Sequence, residues 1–389
     1  MGTKNSDPIR NIWSEGLIEM DLKIALRDSN TASRRYVLVN PMLAKHLPVS
    51  PSRALDCFAQ LAGRVAMTCK EERVLVIGFA ETATALGAAV ASVIGAVYVH
   101  TTREHVHSSR EHLITEPVAE FFEEHSHAKN QAIYLSEQFG KLSSYDRIVF
   151  VEDEITTGKT ILNFLKSVDY SGKITVSALV FNGLDDRAFS QYDAEFICLQ
   201  KVDAHNLQLD RLPDPHLEYT HYPELDELPD PHLEYTHYLE FDGLPDPRSG
   251  VDINEYHSKC FSLALQIIKA VNAIDVHDKN ILVIGTEEFM YPALVLGREL
   301  ENIAKSVKSQ STTRSPLALH ESNGYPFYSK CSFMSVYDSA RISYLYNLES
   351  YDTVIIYTDA PESDGMGLIN AIRNYGNHTV YFVRVRHAY

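Results

Sequence analysis

The sequence predicts an α/β fold: a mainly parallel sheet flanked by helices, with a second, smaller α/β domain after it. Three observations carry this. Short apolar runs alternate with helical patterns along most of the chain. The run Ile148-Val149-Phe150-Val151 ends in Glu152 and Asp153, then passes through Thr156-Thr157-Gly158-Lys159-Thr160 into a helical pattern. The same grammar returns 207 residues later.

Residues 19 to 40 alternate, which fits two early strands. Pro41 to Pro48 reads as a loop or short helix carrying Lys45 and His46. Leu55 to Met67 reads as a helix, Arg73 to Gly78 as a buried strand, Glu81 to Ile94 as a helix of small residues, and Ala96 to His100 as the next strand. Val74 to Val99 carries one charge, Glu81, and is long enough for a membrane span. Gly78, Thr82, Thr84, Gly87 and Gly95 break it into strand, helix and strand instead. Thr101 to Asn130 is polar and His-rich. The acid-bearing strand follows, then a helix to Val168, and Lys173 to Phe181 and Glu195 to Leu199 complete the sheet.

Ile253 to Ile274 has the period of a long amphipathic helix. Beyond it, Ile281 to Glu288 mirrors Val74 to Glu81, Ser311 to Ser315 mirrors His100 to Glu104, and Tyr351 to Asp359 mirrors Tyr145 to Asp153. The offsets are 207, 211 and 206 residues, so a duplicated plan is expected. The second acidic loop, Asp359 to Gly365, lacks the Thr-Thr-Gly-x-Thr turn, and no second copy of the same site is expected there.

Between the two halves, Leu212 to Tyr222 recurs identically as Leu228 to Tyr238, and Leu244 to Pro247 starts a third copy at the same 16-residue spacing. The X-Pro pairs favour extended chain. Three readings stand: a duplicated surface linker, an acidic Tyr-rich docking segment, or a metal-binding cluster of His216, His221, His232 and His237. The expected division is residues 1–205, a linker over 206–252, and residues 253–389.

The net charge of −17 argues against nucleic acid as a partner. Five scattered cysteines without a CxxC pair fit a reducing cytoplasm, and Met1 to Asn11 lacks the apolar core of a signal peptide. No membrane association is expected.

The acid-ended strand and the turn after it have a chemistry of their own. A buried strand ending in Glu152 and Asp153 delivers carboxylates to its C-terminal edge. A Thr- and Gly-rich turn opening a helix aims unpaired N–H groups and hydroxyls at an anion. Acids for sugar hydroxyls beside amides for a phosphate suit a ribose 5-phosphate. Gly78-Phe79-Ala80-Glu81-Thr82 offers a second amide-rich loop at a strand-to-helix turn. A plain turn with Glu81 at a helix N-terminus would look similar.

The segment Arg147 to Thr160 resembles the phosphoribosyl pyrophosphate (PRPP) signature of type I phosphoribosyltransferases: four apolar residues, two acids, two variable residues and Thr-Thr-Gly-x-Thr. Phe150 and Glu154 depart mildly from it. Thr313-Arg314-Ser315-Pro316 and Gly285 to Pro292 resemble the hallmarks of the TRSP domain, found C-terminal to the phosphoribosyltransferase of bacterial tellurite-resistance and stress operons. The resemblance implies a type I phosphoribosyltransferase-like sheet in 1–205 and a smaller Rossmann-like TRSP domain in 253–389. It implies that Glu152 and Asp153 hold the ribose hydroxyls and, with Arg103, form the catalytic group. Thr156, Thr157, Gly158, Lys159 and Thr160 would bind the 5-phosphate, and Gly78, Phe79, Ala80, Glu81 and Thr82 the pyrophosphate. Mg²⁺ would be the cofactor, held mainly by the substrate rather than by protein ligands. Residues 104 to 130 resemble the mobile hood of these enzymes.

Glu287, Glu288, Thr313 and Arg314 are the candidate site of the second domain. The expected partners are PRPP and a small-molecule acceptor that the sequence does not name. A homodimer and neighbouring ATP-grasp and HAD-like enzymes of a nucleotide-like pathway are the further partners the resemblance suggests. A non-catalytic PRPP sensor is the alternative function.

Overall fold

A computed structural model describes residues 20–28, 35–104, 117–121, 131–202, 235–322, 324–361 and 363–388. The N-terminal half begins with an antiparallel pair, β1 (Lys23–Leu26) and β2 (Tyr36–Val39), and helix α1 (Pro51–Ala66). Next come β3 (Val74–Gly78), α2 (Thr84–Ile94), β4 (Val97–His100) and the short antiparallel pair β5 (Ala119–Phe121) and β6 (Gln131–Ile133). The acid-bearing strand is β7 (Arg147–Ile155), followed by α3 (Lys159–Ser167), β8 (Lys173–Asn182) and β9 (Ala194–Val202). The second half contains β10 (Tyr235–Leu244), β11 (Val251–Asp252), α4 (Ile253–Ala270), α5 (Ala273–Val276), β12 (Asn280–Gly285), α6 (Tyr291–Leu300) and β13 (Ser306–Ser311). A hairpin of β14 (Lys330–Met334) and β15 (Ile342–Tyr346) precedes β16 (Thr353–Thr358), α7 (Met366–Arg373) and β17 (Thr379–His387).

Two parallel sheets result. The first has the order β11-β4-β3-β7-β8-β9, with only β11 antiparallel, and the second β10-β17-β16-β12-β13. The apolar stretch 74 to 99 is β3, α2 and β4, and no helix among the described residues is long and apolar enough to cross a membrane.

Alternation along the strands sets the layers, because successive side chains point to opposite faces. Val74, Val76, Val149 and Val151 face one core, while Leu75, Ile77, Ile148 and Phe150 face another with Phe164 of α3. In the second sheet Ile281 and Val283 join the first of these cores, and Leu282 and Ile284 pack with Leu368 and Ile372 of α7. The shared core also contains Phe58 and Leu61 of α1, Leu86 and Val90 of α2, Leu263 and Ile267 of α4, and Leu294 and Leu296 of α6. The two sheets therefore lie on either side of one helical layer. That position explains α2, which is apolar on nearly every side and buried from Thr84 to Ala91.

The sheet registers reproduce the repeat read in the sequence. Gly78 pairs with His100 and Val151; Gly285 pairs with Ser311 and Tyr357. The offsets between these pairs are again 207, 211 and 206. The first strand of each half is tied at its start in the same way. The Arg73 N–H donates to Asp146 Oδ2 at 2.8 Å, and the Asn280 N–H to Asp352 Oδ2 at 2.8 Å.

The segment expected as a linker over 206–252 is structural in its described part. Tyr235 to Leu244 forms the edge strand β10, parallel to β17, and β11 joins the first sheet. The prolines that suggested extended linker, Pro229, Pro231, Pro245 and Pro247, flank this run and leave Tyr, Thr, Leu and Phe inside it. His237, one of the metal candidates, stacks on Tyr381 with ring centroids 4.5 Å apart. His216, His221 and His232 lie outside the described residues.

Each half opens its last helix on a left-handed glycine. Gly158 has φ 67° before α3, and Gly365 has φ 68° before α7. A Cβ at Gly158 would sit 2.7 Å from Phe189 Cε2, and one at Gly365 would overlap the Phe382 ring more deeply. The left-handed conformation alone costs about 1–2 kcal/mol for a residue with a Cβ. Urea unfolding should therefore show Gly158→Ala destabilised by at least that much and Gly365→Ala by more; the reverse order would contradict these ring contacts.

Candidate active site

The C-terminal edge of the first sheet gathers the residues singled out in the sequence. The pairing of Gly78 with Val151 sets the loop after β3 beside the acid pair at the end of β7. Glu152 and Asp153 are half-buried, one and two residues past that pairing. Glu154 is held aside by Asn182, whose Nδ2 donates to its carboxylate at 2.6 Å. Thr156 and Thr157 form the turn, Gly158 caps α3, and Lys159 and Thr160 start its first turn. Among the described residues the N–H groups of Thr156, Thr157 and Gly158 have no hydrogen-bond partner. Unpaired amides at a helix start can receive an anion.

The loop Gly78 to Thr82 is fixed from two sides. The Phe79 N–H donates to the Val151 carbonyl at 3.1 Å, and the Ala80 N–H to Thr101 Oγ1 at 2.7 Å. Gln131 reaches the Ala80 carbonyl at 3.3 Å. The amides of Glu81 and Thr82 have no hydrogen-bond partner among the described residues. The helix itself begins at Thr84, three residues later than the sequence suggested. Arg103 is half-buried at the end of the neighbouring loop. His105, His107, His112, His125 and His127, in the segment expected as a hood, lie outside the described residues.

The four second-domain candidates do not line a pocket of their own domain. Glu288 accepts from Thr102 Oγ1 at 2.8 Å and from the Arg103 N–H at 3.2 Å, and its carbonyl accepts from Thr84 Oγ1 at 2.9 Å. Arg314 pairs with Glu104, with Glu287 at 2.7 Å, and with Glu81 at 3.7 Å. Glu287 accepts from Ser343 at 2.7 Å, Arg314 at 2.7 Å and Arg341 at 2.8 Å. Burial would raise its pKa, but Arg314, Arg341 and the hydroxyls of Ser335 and Ser343 bring it down to about 2. Glu288 is likewise lowered, because Arg248, His100 and Arg314 outweigh its burial. Thr313 has a local role: its N–H donates to the Tyr344 carbonyl at 3.0 Å, and its Oγ1 accepts from the Ser315 N–H at 3.2 Å.

Lys45, on the loop after β2, joins this cluster. Its ammonium donates to the carbonyls of Glu287 at 2.8 Å and Thr312 at 2.9 Å and pairs with Glu81. A group the sequence reading missed surrounds Asp359, the counterpart of Asp153. Arg248 donates to it at 2.5 Å, His387 Nε2 at 2.9 Å, and Tyr337 also bonds it. Arg248 stands where the first two repeat copies carry His216 and His232, the one signal available in the sequence. The acidic edge of the second sheet is thus closed by its own residues.

Two family models match the chain. Residues 22–198 match a phosphoribosyl transferase model, and residues 247–372 match the TRSP domain that lies C-terminal to such transferases. The chain thus carries a phosphoribosyl transferase domain followed by a TRSP domain. No curated protein matches the sequence. Similar solved structures include adenine phosphoribosyltransferase from Trypanosoma brucei in complex with AMP, pyrophosphate and ribose-5-phosphate, at 13% identity and TM-score 0.34, covering 52% of this chain and 84% of that one. The enzyme of the same name from Thermoanaerobacter pseudethanolicus matches at 20% identity and TM-score 0.27, covering 43% of this chain and 91% of that one. UMP synthase from Leishmania donovani matches at 12% identity and TM-score 0.26, over 45% of this chain and 33% of that one.

The Asp359 cluster has a pH signature. Burial would lower the pKa of His387, but Asp246 and Asp359 raise it above 6.5. A raised histidine contributes stability that is complete below the unfolded value and lost as pH rises through the folded one. Melting temperature should fall as pH climbs above about 6.5, and His387→Gln should flatten that fall. Parallel profiles for the two proteins would contradict the His387–Asp359 contact.

Proposed function

We propose that the chain transfers the phosphoribosyl group of PRPP to a small-molecule acceptor, releasing pyrophosphate, with Mg²⁺ as cofactor. The observation that carries this is the adjacency of two anion-binding loops around one acid pair, set by the Gly78–Val151 register. Glu152 and Asp153 hold the ribose hydroxyls. The amides and hydroxyls of Thr156, Thr157, Gly158, Lys159 and Thr160 hold the 5-phosphate. Gly78 to Thr82, through the amides of Glu81 and Thr82, and Arg103 hold the pyrophosphate.

In the reaction the bond between C1 and the pyrophosphate oxygen breaks, and its electron pair leaves with pyrophosphate. A lone pair of the acceptor forms the new bond to C1, and the acceptor then loses a proton. Positive charge develops on the sugar, and the carboxylates of Glu152 and Asp153 stabilise it at short range. Holding both substrates in line removes the entropy of a bimolecular encounter. The acid pair supplies hard oxygen donors, which fit Mg²⁺. Among the described residues no cluster of three or more His, Cys, Asp or Glu could hold a metal by itself. Mg²⁺ would be held mainly by the oxygens of the substrate, with Glu152 and Asp153 beside it, and would supply positive charge for the leaving pyrophosphate. Resemblance to transferases of tellurite-resistance and stress operons supports a nucleotide-like product made in such a pathway.

Calorimetric titration of PRPP with Mg²⁺ tests the reading. Wild type should bind, and Asp153→Ala should weaken binding at least tenfold, about 1.4 kcal/mol. A wild type that fails to bind PRPP would overturn the proposal. Binding without pyrophosphate release across metabolite extracts would favour a sensor instead.

A further inference from the structure

We propose that Glu288, reaching across from the TRSP domain, is a positioning residue for the pyrophosphate half of the site. This rests on the PRPP reading above. Glu288 and Glu287 are neighbours in one loop but divide their contacts. The Glu287 carboxylate is used by Ser335, Ser343, Arg314 and Arg341, all of its own domain. The Glu288 carboxylate is used by Thr102 and the Arg103 N–H of the first domain, and by Arg248.

The residues Glu288 holds are those that set the pyrophosphate side. Thr101, next to Thr102, fixes the Ala80 N–H of the loop after β3. The same Thr101 hydroxyl donates to Gln131 at 2.5 Å, and Gln131 returns to the Ala80 carbonyl. Thr84, at the start of α2, donates to the Glu288 carbonyl. One residue of the second domain therefore ties both ends of the first domain's pyrophosphate side: the loop bearing Arg103 and the helix start behind Glu81 and Thr82. Arg314 braces the same side through Glu81 and Glu104. Thr156, Thr157, Gly158 and Thr160 of the ribose-phosphate cradle make no hydrogen bond to the second domain among the described residues. The contacts of Glu288 and Arg314 named above fall on the pyrophosphate half of the site.

The contact is sensitive to a minimal change. Glu288 accepts at Oε1 from the Arg103 N–H, and at Oε2 from Thr102 and Arg248 Nε. A glutamine must turn its NH₂ toward one of these donors, losing either the Arg103 amide or the Thr102 and Arg248 pair.

The test compares two ligands on the full chain. PRPP with Mg²⁺ probes both halves of the site, while ribose 5-phosphate probes the cradle alone. Glu288→Gln should lower PRPP affinity at least tenfold and leave ribose 5-phosphate affinity within twofold of wild type. Thr102→Val removes the donor from the other side, keeps Glu288 with Arg248, and should give the same selective loss if the glutamine variant folds poorly. Equal losses for both ligands, or no loss for either, would overturn the positioning role and leave the PRPP reading intact. Failure of wild type to bind either ligand would overturn the PRPP reading, and this inference with it.

Discussion

A buried ammonium holds the two halves of this protein in register. Lys45 is 1% exposed, and its charged group meets the carbonyls of Glu287 and Thr312 and the carboxylate of Glu81. Desolvation lowers its pKa, and Glu81 and Glu287 oppose that. A buried ion pair adds little net stability, but removing one partner leaves an uncompensated charge and costs about 3–5 kcal/mol. The cluster therefore works as a register pin rather than as glue. It requires Glu81, Glu287 and Thr312 to stay within reach of one nitrogen. Those residues lie in the loops after β3, β12 and β13, so the C-terminal edges of both sheets must face each other.

Duplication explains why that meeting is possible. Each half has a strand order with its counterpart of β3 beside its counterpart of β7, and the loops after β3 and β12 leave equivalent points of their sheets. The halves then diverge at the acids. In the first, the edge past Val151 presents Glu152 and Asp153 next to a turn with unpaired amides. In the second, Asp359 is neutralised by Arg248 and His387, and its pKa falls far below the ordinary carboxylate range because those cations outweigh burial. A guanidinium from the end of the repeat segment thus occupies the carboxylate of Asp359. One edge remains available for chemistry, and the other supplies loops that brace it.

The architecture was legible in the sequence wherever local pattern and tertiary role agree. Val74 to Gly78 and Arg147 to Val151 are buried on both faces and read as continuous apolar strands. Gly158 marks a helix start because only glycine tolerates that backbone beside an aromatic ring, and Gly365, read only as the end of an acidic loop, does the same for α7. Strand β10 was hidden because its prolines dominate the local signal while its partner, β17, lies more than a hundred residues away. The roles of Lys45 and Glu288 were illegible for the same reason: Lys45 and Glu287 are 242 residues apart, and Glu288 and Thr102 are 186 apart. Nothing in local periodicity encodes a contact of that separation. Glu287 and Glu288 were legible as unusual, since two acids after a buried strand demand partners, but not as parts of the first domain's surroundings.

The transferase and TRSP halves form one cooperative unit, in which the second half braces the pyrophosphate side of the first half's site. Scanning calorimetry of the full chain, with and without PRPP and Mg²⁺, tests this most directly. The expected result is a single transition with equal calorimetric and van't Hoff enthalpies, shifted upward as a whole by the ligand. Two separable transitions, only one of which moves with PRPP, would contradict it.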